Sequence, residues 1–582
     1  MKHLNFLRVP LSFYDKSNKI YLIIYIINYL CIQTINIIKL VLLAQLIDSI
    51  INNNFVLLLI IIYVGILILN ILLINVNNYL YQLISNNIVC NIQVDIMNKI
   101  NKMEYQFIES KDGKDRIDNL KYSANKITQL PFLLISLVVS SYNFMLCIIE
   151  FSNFYWVYTI LYLATAIPGI VLNNILFNKI DNLRYDSAPD IRKHSYYKWM
   201  LTSRECSKDI RMYSLTNEIK KKYFDMRKVY LQKNRKLEFT GVIFSFLTTL
   251  LENIGFILIF YFIISETIKK NISIGECSMY IGLSLSLFAS FKTVLSNYSE
   301  FTFINKKYVK NYCDFNENFI MENKNGKIKI YDITQIEFLN VSFNYPNSEN
   351  KVLDNVSFKI EKGEKVALVG LIGAGKTTLI KLLLKMYTPS SGKILVNGIN
   401  ILDIDTDVLR NNISIIFQNF IKYPLTLREN ISLSRISEMN DDEKILKSIS
   451  DIEIYKNNKI SLSNLDEYVS KTFSETGIEF SKGELQQLSL ARAYFKDANI
   501  YIFDEPSSAL DVISEKKVFN DFMNVSKEKL SIMITHRINA GKLFDKIIIL
   551  ENGKLVGIGN HNDLVKNNLH YINLMNIIEE SD

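Results

Sequence analysis

The sequence predicts two parts of different fold class, an α-helical transmembrane bundle in the first half and an α/β domain in the second. Hydrophobic residues make up 49% of the 582 residues, and the mean hydropathy is +0.13. This composition is too apolar for an ordinary soluble protein and too polar for one that lies entirely within a membrane. The long apolar runs all precede residue 300, whereas a glycine-rich loop pattern between a strand and a helix lies near residue 370.

Six apolar runs are long enough to form membrane-spanning helices, since about 20 apolar residues cross the hydrocarbon core of a bilayer. They cover about residues 20–47, 55–80, 131–151, 155–177, 242–264 and 274–295. We therefore predict a transmembrane domain over residues 1–320, a polar linker over 321–334 and a second domain over 335–582.

The basic residues between these runs predict the orientation of the bundle. The short links 48–54 and 152–154 contain no lysine or arginine, whereas the long segments 99–126 and 178–238 are strongly basic. Lysine and arginine accumulate on the cytoplasmic side of membrane proteins. We therefore expect the long segments and both termini to be cytoplasmic.

The long basic segments are helix-like, so we expect the spans to continue well below the membrane. Each extension should turn back through a short transverse helix, and we place these near Glu109–Asn119 and Cys206–Leu215. There they could contact the second domain; the alternative is that both segments are solvated loops.

Three polar residues within the runs are candidates for lining a substrate cavity. Glu252 and Asn253 lie in the middle of the fifth run, and Lys292 lies towards the cytoplasmic end of the sixth. Ionisable groups inside a membrane are costly and usually face a cavity or a partner. A purely structural hydrogen bond of Glu252 is the alternative.

The stretch Val366–Leu379, VALVGLIGAGKTTL, predicts a phosphate-binding loop. An apolar strand pattern leads into Gly370-x4-Gly375-Lys376-Thr377, and a helical pattern follows. The glycines let backbone N–H groups converge on an anion. Lys376 can reach the β- and γ-phosphates, and the Thr377 hydroxyl can ligate Mg²⁺. The second domain is therefore expected to be an α/β P-loop NTPase domain.

Further polar residues are placed to complete a nucleotide site. Gln418, the pair Asp504 and Glu505, and His536 each follow directly on an apolar strand pattern. Because ligands of open α/β sheets bind at the carboxyl ends of strands, we expect these side chains to converge. Asp504 would support Mg²⁺, Glu505 would orient or deprotonate a water, and His536 would contact a γ-phosphate. Tyr345, upstream of the loop, either offers its ring to a nucleobase or is a surface tyrosine.

With these motifs in this order, the sequence resembles an ATP-binding cassette (ABC) exporter over essentially its whole length. The resemblance is to the half-transporter form, with one six-span domain fused to one cassette. It implies that Tyr345 stacks on adenine, that Gln418 senses Mg²⁺ and the γ-phosphate, and that Asp504 ends the Walker B motif. It further implies that Glu505 is the catalytic glutamate and His536 the switch histidine. The ATP-binding Walker A residues it implies are Gly370, Gly373, Ala374, Gly375, Lys376, Thr377 and Thr378, and the D-loop residues are Ser508, Ala509, Leu510 and Asp511.

The signature of the family, usually LSGGQ, corresponds to residues 480–484, FSKGE, in this sequence. Ser481 and Gly483, which in the family contact the ATP of the opposite protomer, are kept. Lys482 stands in place of a glycine and Glu484 in place of the glutamine. We expect these two changes to affect the rate or symmetry of turnover rather than ATP binding.

The resemblance implies that ATP and Mg²⁺ are bound and that two cassettes are needed for each ATP site. A homodimer is preferred, because Glu505 and His536 are both present; a second half-transporter is the alternative partner. The implied function is ATP-driven export by alternating access across the bacterial plasma membrane, with membrane lipid around the spans. A peptide or peptide-like natural product is the favoured cargo. The alternatives are a lipid or multidrug exporter and an ATP-gated membrane regulator that transports nothing.

Other binding functions are not indicated. The net charge is +8, but basic loops beside membrane helices account for such a charge, and no aromatic-interleaved basic groove suggests nucleic-acid binding. The six cysteines are scattered, with no CxxC pair, so a metal or disulfide role is not expected.

Overall fold

The computed structural model describes residues 16–52, 56–151, 188–317, 321–322, 326–346, 348–418, 420–450, 459–505, 528–535 and 538–579, with isolated positions at 160–183 and 519–523. The chain divides into two compact units. Unit 1 comprises Met1–Asn101 and Asp115–Phe319, and unit 2 comprises Lys102–Lys114 and Ile320–Asp582. Unit 1 is helical where it is described and unit 2 contains two β-sheets, so the predicted fold class is confirmed.

The described part of unit 1 contains long helices and a few short ones. They are α1 (Lys16–Ile51), α2 (Val56–Asn101), α4 (Lys111–Ile127), α5 (Leu130–Phe151), α6 (Ala188–Thr202), α7 (Ser207–Met212), α8 (Thr216–Ile268), α9 (Ile274–Ile304) and α10 (Lys310–Glu317), with a π-helical turn at Asn305–Val309. The short helix α3 (Tyr105–Glu109) and the first residues of α4 belong to unit 2.

Five helical segments in the described part of the chain are long and apolar enough to cross a membrane. They are Asn18–Ile51, Val56–Asn101, Lys111–Phe151, Thr216–Ile268 and Ile274–Asn316. Each contains one of the predicted apolar runs. The remaining run, 155–177, lies largely outside the described residues.

The outer surface of these helices is apolar, whereas their inner faces pack together. Leu57, Leu58 and Ile61 on α2 are 72%, 65% and 61% exposed, which is the arrangement expected where acyl chains cover the surface. Inside the bundle, Cys147, Phe151, Ile263 and Leu283 are buried among residues of α1, α5, α8 and α9.

Asparagine side chains pair α1 with α2 along much of their length. The pairs are Asn18–Asn87 (2.9 Å), Asn28–Asn77 (3.4 Å) and Asn36–Asn70 (3.3 Å). Such hydrogen bonds between membrane helices contribute about 0.6 kcal/mol each on average. They fix the register of α1 against α2 along segments that are otherwise rich in apolar residues.

Unit 2 contains an antiparallel sheet and a mainly parallel sheet. The first has the order β2-β1-β4-β5 and the second the order β10-β9-β3-β8-β7-β6. The strands are β1 (Gln335–Phe343), β2 (Leu353–Glu361), β3 (Lys365–Val369), β4 (Ser391–Val396), β5 (Ile399–Asn400), β6 (Ile413–Ile416), β7 (Ile500–Asp504), β8 (Leu530–Ile534), β9 (Lys546–Glu551) and β10 (Lys554–Gly559).

The larger sheet orients the residues that the sequence singled out. Strands β9, β3, β8, β7 and β6 run parallel, and β10 pairs antiparallel with β9. The carboxyl ends of β3, β6, β7 and β8 therefore meet at one edge of the sheet. Behind that edge all five residues of β7 and all five of β8 are buried, as in parallel strands covered on both faces.

The helices of unit 2 complete the domain around the sheets. After α3 they are α11 (Lys376–Leu383), α12 (Thr406–Asn411), α13 (Leu427–Ser432), α14 (Asp442–Ile449), α15 (Lys482–Lys496), α16 (His561–Asn567) and α17 (Leu569–Glu579), and short 3₁₀ turns link several of them. Helix α15 packs with α13 and α14 around Leu488, Ala491 and Phe495, which are buried.

Candidate nucleotide site

The glycine-rich loop joins β3 to α11 with the geometry that phosphate binding requires. Gly373 and Gly375 have φ values of +84° and +98°, in the left-handed region. A Cβ at Gly375 would also lie 2.7 Å from the Leu353 side chain and 3.0 Å from the Val352 carbonyl. Only glycine is accommodated at that position without strain, and it places the loop amides at the N-terminus of α11.

Lys376 lies beneath this loop. Its side-chain Nζ donates to the carbonyls of Gly370 at 2.8 Å and Leu371 at 3.0 Å, and the residue is only 6% exposed. Burial lowers the pKa of Lys376, and the nearby carboxylates of Glu505 and Asp504 oppose that shift. The ammonium and the positive end of the α11 dipole thus act on the same small volume.

The oxygen groups proposed to hold Mg²⁺ are next to one another. Thr377 Oγ1 donates to Asp504 Oδ2 at 3.3 Å, and Asp504 is 2% exposed. A hydroxyl beside a carboxylate at a phosphate-binding loop fits the hard oxygen ligands that Mg²⁺ prefers.

Gln418 and Glu505 also converge on this edge of the sheet. Gln418 Nε2 donates to Glu505 Oε2 at 2.6 Å, and the Glu505 backbone N–H donates to the Ile534 carbonyl at 3.1 Å. Glu505 has φ +50°, an uncommon conformation for a side-chain-bearing residue, and such conformations cluster at functional sites. His536 and the D-loop residues 508–511 lie outside the described residues.

Tyr345 belongs to an aromatic cluster beside the loop. Its hydroxyl is 3.0 Å from Thr378 Oγ1, and its ring centroid is 5.3 Å from that of Tyr387, with the rings nearly perpendicular at 88°. Lys381 Nζ lies 5.8 Å from the centroid of the Tyr345 ring. Tyr387 could not be predicted as part of this site because it belongs to no motif; the turn after α11 brings it here.

Helix α3 contacts this aromatic cluster within unit 2. The Glu109 carboxylate accepts hydrogen bonds from Tyr387 and, at 2.6 Å, from Tyr105, and the Tyr105 and Tyr387 rings are 5.9 Å apart. Burial alone would raise the pKa of Glu109, but the hydrogen bonds from Tyr105 and Tyr387, together with the charges of Lys381 and Lys114, lower it. The hydrogen bond that Tyr105 donates to Glu109 contributes most to raising the pKa of Tyr105 to about 12.

The position of α3 corrects the placement of the first transverse helix. We expected it near Glu109–Asn119, but the helix is Tyr105–Glu109, and Lys111 already begins α4. The charged stretch after Glu109 forms the start of the long helix α4 instead of a transverse helix. Helix α7, Ser207–Met212, falls within the second expected segment, Cys206–Leu215.

The signature residues form the start of α15. Ser481 is its N-cap: Ser481 Oγ accepts from the Glu484 backbone N–H at 3.3 Å, and the Glu484 carboxylate accepts from the Ser481 backbone N–H at 2.7 Å. This reciprocal capping box places Ser481, Lys482 and Gly483 at the exposed end of the helix. Lys482 itself is exposed.

Two of the three cavity candidates in unit 1, Glu252 and Lys292, form an ion pair. Lys292 Nζ lies 3.0 and 3.1 Å from the two carboxylate oxygens of Glu252, with the Glu252 side chain 12% and the Lys292 side chain 41% exposed. A Cβ at Gly169 would lie 3.2 Å from Glu252 Oε1, so the chain passes close to this pair. Asn253, the residue after Glu252, is exposed.

Together, the P-loop, the carboxylates Asp504 and Glu505 at the end of β7 and the apolar helices define a membrane protein with a P-loop nucleotide-binding domain. A family profile described as ABC transporter matches residues 353–508. The chain is 32% identical over 489 residues to the subtilin transport ATP-binding protein SpaT of Bacillus subtilis, covering 82% of this chain and 78% of the relative. It is 29% identical over 499 residues to the nisin transport ATP-binding protein NisT of Lactococcus lactis, covering 82% and 80%.

The fold comparison agrees with these matches. A structure of a bacterial Atm1-family ABC exporter with ATP bound superposes with a TM-score of 0.77 at 18% identity, covering 97% of this chain and 99% of the other. The chain belongs to the ATP-binding cassette transporters and is a half-transporter of the exporter type, with a transmembrane domain fused to one ATPase domain. It is a membrane protein that couples ATP hydrolysis to export.

Proposed function

We propose that two copies of this chain form a homodimer that exports a peptide across the bacterial plasma membrane, with both termini in the cytoplasm. The proposal rests on the length of chain over which the sequence similarity to peptide transport proteins extends. The subtilin and nisin transport proteins match over 82% of the chain, a length that neither unit provides alone. The putative multidrug export protein YgaD of Bacillus subtilis matches over only 42%. Multidrug or lipid export is therefore the second candidate.

A cavity in unit 1 supports an amphipathic cargo. Its volume is about 830 Å³, within the range of ligand pockets. In the described chain its lining residues all lie on α8 and are Val229, Gln232, Arg235, Lys236, Glu238, Phe239 and Val242. Apolar side chains next to charged ones of both signs suit an amphipathic chain molecule better than a small inorganic ion.

In the proposed reaction, this chain binds ATP through the loop amides and Lys376, with the Tyr345 ring against the adenine. Thr377, Asp504 and Gln418 are the residues that would hold Mg²⁺, through a hydroxyl, a carboxylate and an amide oxygen. When bound, the ion neutralises charge on the phosphates. The second copy would supply Ser481, Lys482, Gly483 and Glu484 to the same ATP.

Glu505 would then receive or direct the proton of the attacking water. Its carboxylate is held by Gln418 Nε2 at 2.6 Å, and its backbone is fixed by Ile534, so its position relative to the β7 strand end is defined. A carboxylate that is positioned in this way contributes by general-base catalysis. His536 and the D-loop residues Ser508, Ala509, Leu510 and Asp511 remain part of the proposal on the basis of the resemblance.

ATP hydrolysis by the purified chain in lipid nanodiscs tests the proposal. We expect hydrolysis without any second subunit and stimulation by subtilin or nisin, measured beside panels of lipids and of hydrophobic drugs. Stimulation by the drugs or lipids alone would favour the second candidate. Complete inactivity of the purified chain would contradict the homodimer and direct the search to a second half-transporter.

The contact between Glu109 and Tyr387 predicts a coupling variant. Replacing Glu109 with glutamine weakens the hydrogen bonds of α3 to the aromatic cluster, because a neutral amide is a poorer acceptor than a carboxylate. We expect basal ATP hydrolysis to stay within about threefold of the wild type and peptide transport per ATP to fall about three- to tenfold, on the basis of a coupling free energy of about 1 kcal/mol. Transport and hydrolysis are measured in the same proteoliposomes.

The matched control is Glu104→Gln, which changes the same side chain at the residue before α3, where no side-chain cap bond forms. It should leave both activities unchanged. Equal transport per ATP in the Glu109 and Glu104 variants would contradict a coupling role for α3.

The ion pair between Glu252 and Lys292 predicts a second variant series. Lys292→Met alone leaves the 12%-exposed Glu252 carboxylate without its partner. We expect a loss of about 1–2 kcal/mol in stability, less than the 3–5 typical of a fully buried pair because Lys292 is partly exposed. The double variant Glu252→Gln/Lys292→Met should recover most of that loss in thermal unfolding.

The same series separates a cavity role from a structural one. If Glu252 binds cargo, the double variant unfolds like the wild type but loses stimulation of ATP hydrolysis by peptide. Unchanged stimulation in a stable double variant would leave the pair with a structural role only.

A further inference from the structure

The carboxylate that distinguishes this signature is bound to a lysine from outside it. Lys459 Nζ lies 2.7 and 2.8 Å from the two oxygens of Glu484. The same ammonium lies 5.1 Å from the centroid of the Phe480 ring, and Phe480 directly precedes the N-cap Ser481. The Lys459 carbonyl accepts from Asn464 Nδ2 at 3.0 Å. Lys459 therefore contacts the residues at both ends of the signature turn, Phe480 and Glu484. Its own backbone is held in place by the hydrogen bond from Asn464.

The Glu484 carboxylate has two tasks at once. It closes the capping box by accepting from the Ser481 backbone N–H at 2.7 Å, and it forms the ion pair with Lys459. Burial alone would raise its pKa, but the hydrogen bonds from Lys459 and Ser481 lower it. The group is therefore a charged carboxylate, and its charge is balanced by a specific neighbour.

A charged carboxylate next to ATP is electrostatically unfavourable. In the proposed homodimer the signature faces the phosphates bound by the other copy. The negative charges of the Glu484 carboxylate and of these phosphates would repel each other. Glutamine, the usual residue here, could close the capping box without any charge. The substitution by glutamate thus requires a compensating cation, and Lys459 is the residue placed to supply it.

We infer that Lys459 is a positioning residue of the composite ATP site: it neutralises Glu484 and orients the signature turn so that Ser481 can meet the nucleotide of the second copy. This inference rests on the proposed homodimer. Lys459 lies 22 residues before Ser481 in the sequence, belongs to none of the recognised motifs, and would act through Glu484 rather than on ATP.

A double-variant cycle in ATP hydrolysis tests this role. We expect Lys459→Met to lower kcat/KM for ATP about tenfold or more, mainly by raising KM, because an unbalanced carboxylate then faces the triphosphate. Glu484→Gln removes the charge, and its kcat/KM is the reference against which the double variant is compared. The double variant Lys459→Met/Glu484→Gln should behave like Glu484→Gln, and Lys459→Arg should retain activity.

Two controls separate this effect from damage to the fold. Lys422→Met removes another partly exposed lysine–glutamate pair of unit 2, Lys422–Glu479 at 3.0 Å, and should hydrolyse ATP like the wild type. Trapping of labelled ATP by dimers in a Glu505→Gln background reports closure without hydrolysis, and Lys459→Met should lower it in parallel with kcat/KM.

The outcomes are distinct. Wild-type kinetics in Lys459→Met, or a double variant as slow as Lys459→Met, overturns the role of Lys459 alone. A wild type that neither hydrolyses nor traps ATP overturns the homodimer and this role together. Recovery in the double variant supports the role, since a lysine that merely stabilised the fold would not be rescued by changing Glu484.

Discussion

Replacing Glu505 with glutamine is expected to lower ATP hydrolysis at least about 100-fold while leaving ATP binding intact. The amide is nearly the same size as the carboxylate but cannot take a proton from the attacking water. The loop amides, Lys376 and the Tyr345 cluster do not depend on the Glu505 charge for their positions, so the affinity for ATP should change little. Hydrolysis is measured by phosphate release, and binding by equilibrium titration with a labelled ATP.

The control for this variant is Glu475→Gln, the same chemical change at an exposed position of unit 2, which should hydrolyse ATP at the wild-type rate. Hydrolysis by Glu505→Gln within a few fold of the wild type would contradict the assignment of Glu505 as the catalytic carboxylate. Another polar residue at the carboxyl end of a strand would then have to be the catalytic base.

Replacing Lys376 with alanine is expected to suppress hydrolysis for a different reason, because it weakens ATP binding. The Lys376 ammonium is 6% exposed and lies under the loop, bonded to the Gly370 and Leu371 carbonyls. Charge-assisted hydrogen bonds to phosphate contribute roughly 1.5–3 kcal/mol each, so loss of the bonds that Lys376 would make to the β- and γ-phosphates should weaken ATP binding about 100-fold. The dissociation constant is measured with labelled ATP.

Lys393→Ala, on an exposed position of β4, removes a lysine of the same domain without touching the loop and should bind ATP normally. The two principal variants therefore separate the steps: the Glu505 variant binds and does not hydrolyse, whereas the Lys376 variant does neither. Tight ATP binding by Lys376→Ala would contradict the loop geometry as the basis of phosphate recognition.

Much of the nucleotide site could be predicted because its motifs are local. Strand, loop and helix follow one another between Val366 and Leu379, and the positive φ values at Gly373 and Gly375 are those that the glycine spacing requires. The convergence of Gln418 with Glu505 and of Thr377 with Asp504 follows from a general property of parallel sheets, whose strand ends share an edge. These predictions needed no knowledge of side-chain packing.

Other residues could not be predicted because their roles depend on partners far away in the sequence. Tyr387 contacts Glu109, 278 residues earlier, and Lys459 contacts Glu484 across a segment with no helical or strand periodicity to relate them. The same limitation applies to Glu252 and Lys292, 40 residues apart. The sequence indicated that each was polar and costly, whereas only the structure showed that each is the partner of the other.

The first transverse helix lies a few residues earlier than predicted. The stretch after Glu109 is rich in charge and contains Gly113, yet it forms the start of α4. In the structure, Ser110 is the extended residue between α3 and α4, and its hydroxyl accepts from the Gly113 backbone N–H at 2.9 Å. A Cβ at Gly113 would lie 1.8 Å from the Phe107 carbonyl, so this glycine permits close packing at the start of a long helix.

Peptide transport by the purified chain in proteoliposomes tests the central claim most directly. With ATP and Mg²⁺ outside, vesicles containing only this chain should accumulate a labelled peptide that stimulates its ATP hydrolysis, through the molecules whose ATPase domains face outwards, and Glu505→Gln vesicles should not. Vesicles that hydrolyse ATP and move labelled lipids or drugs, but no peptide, would contradict peptide export by this protein.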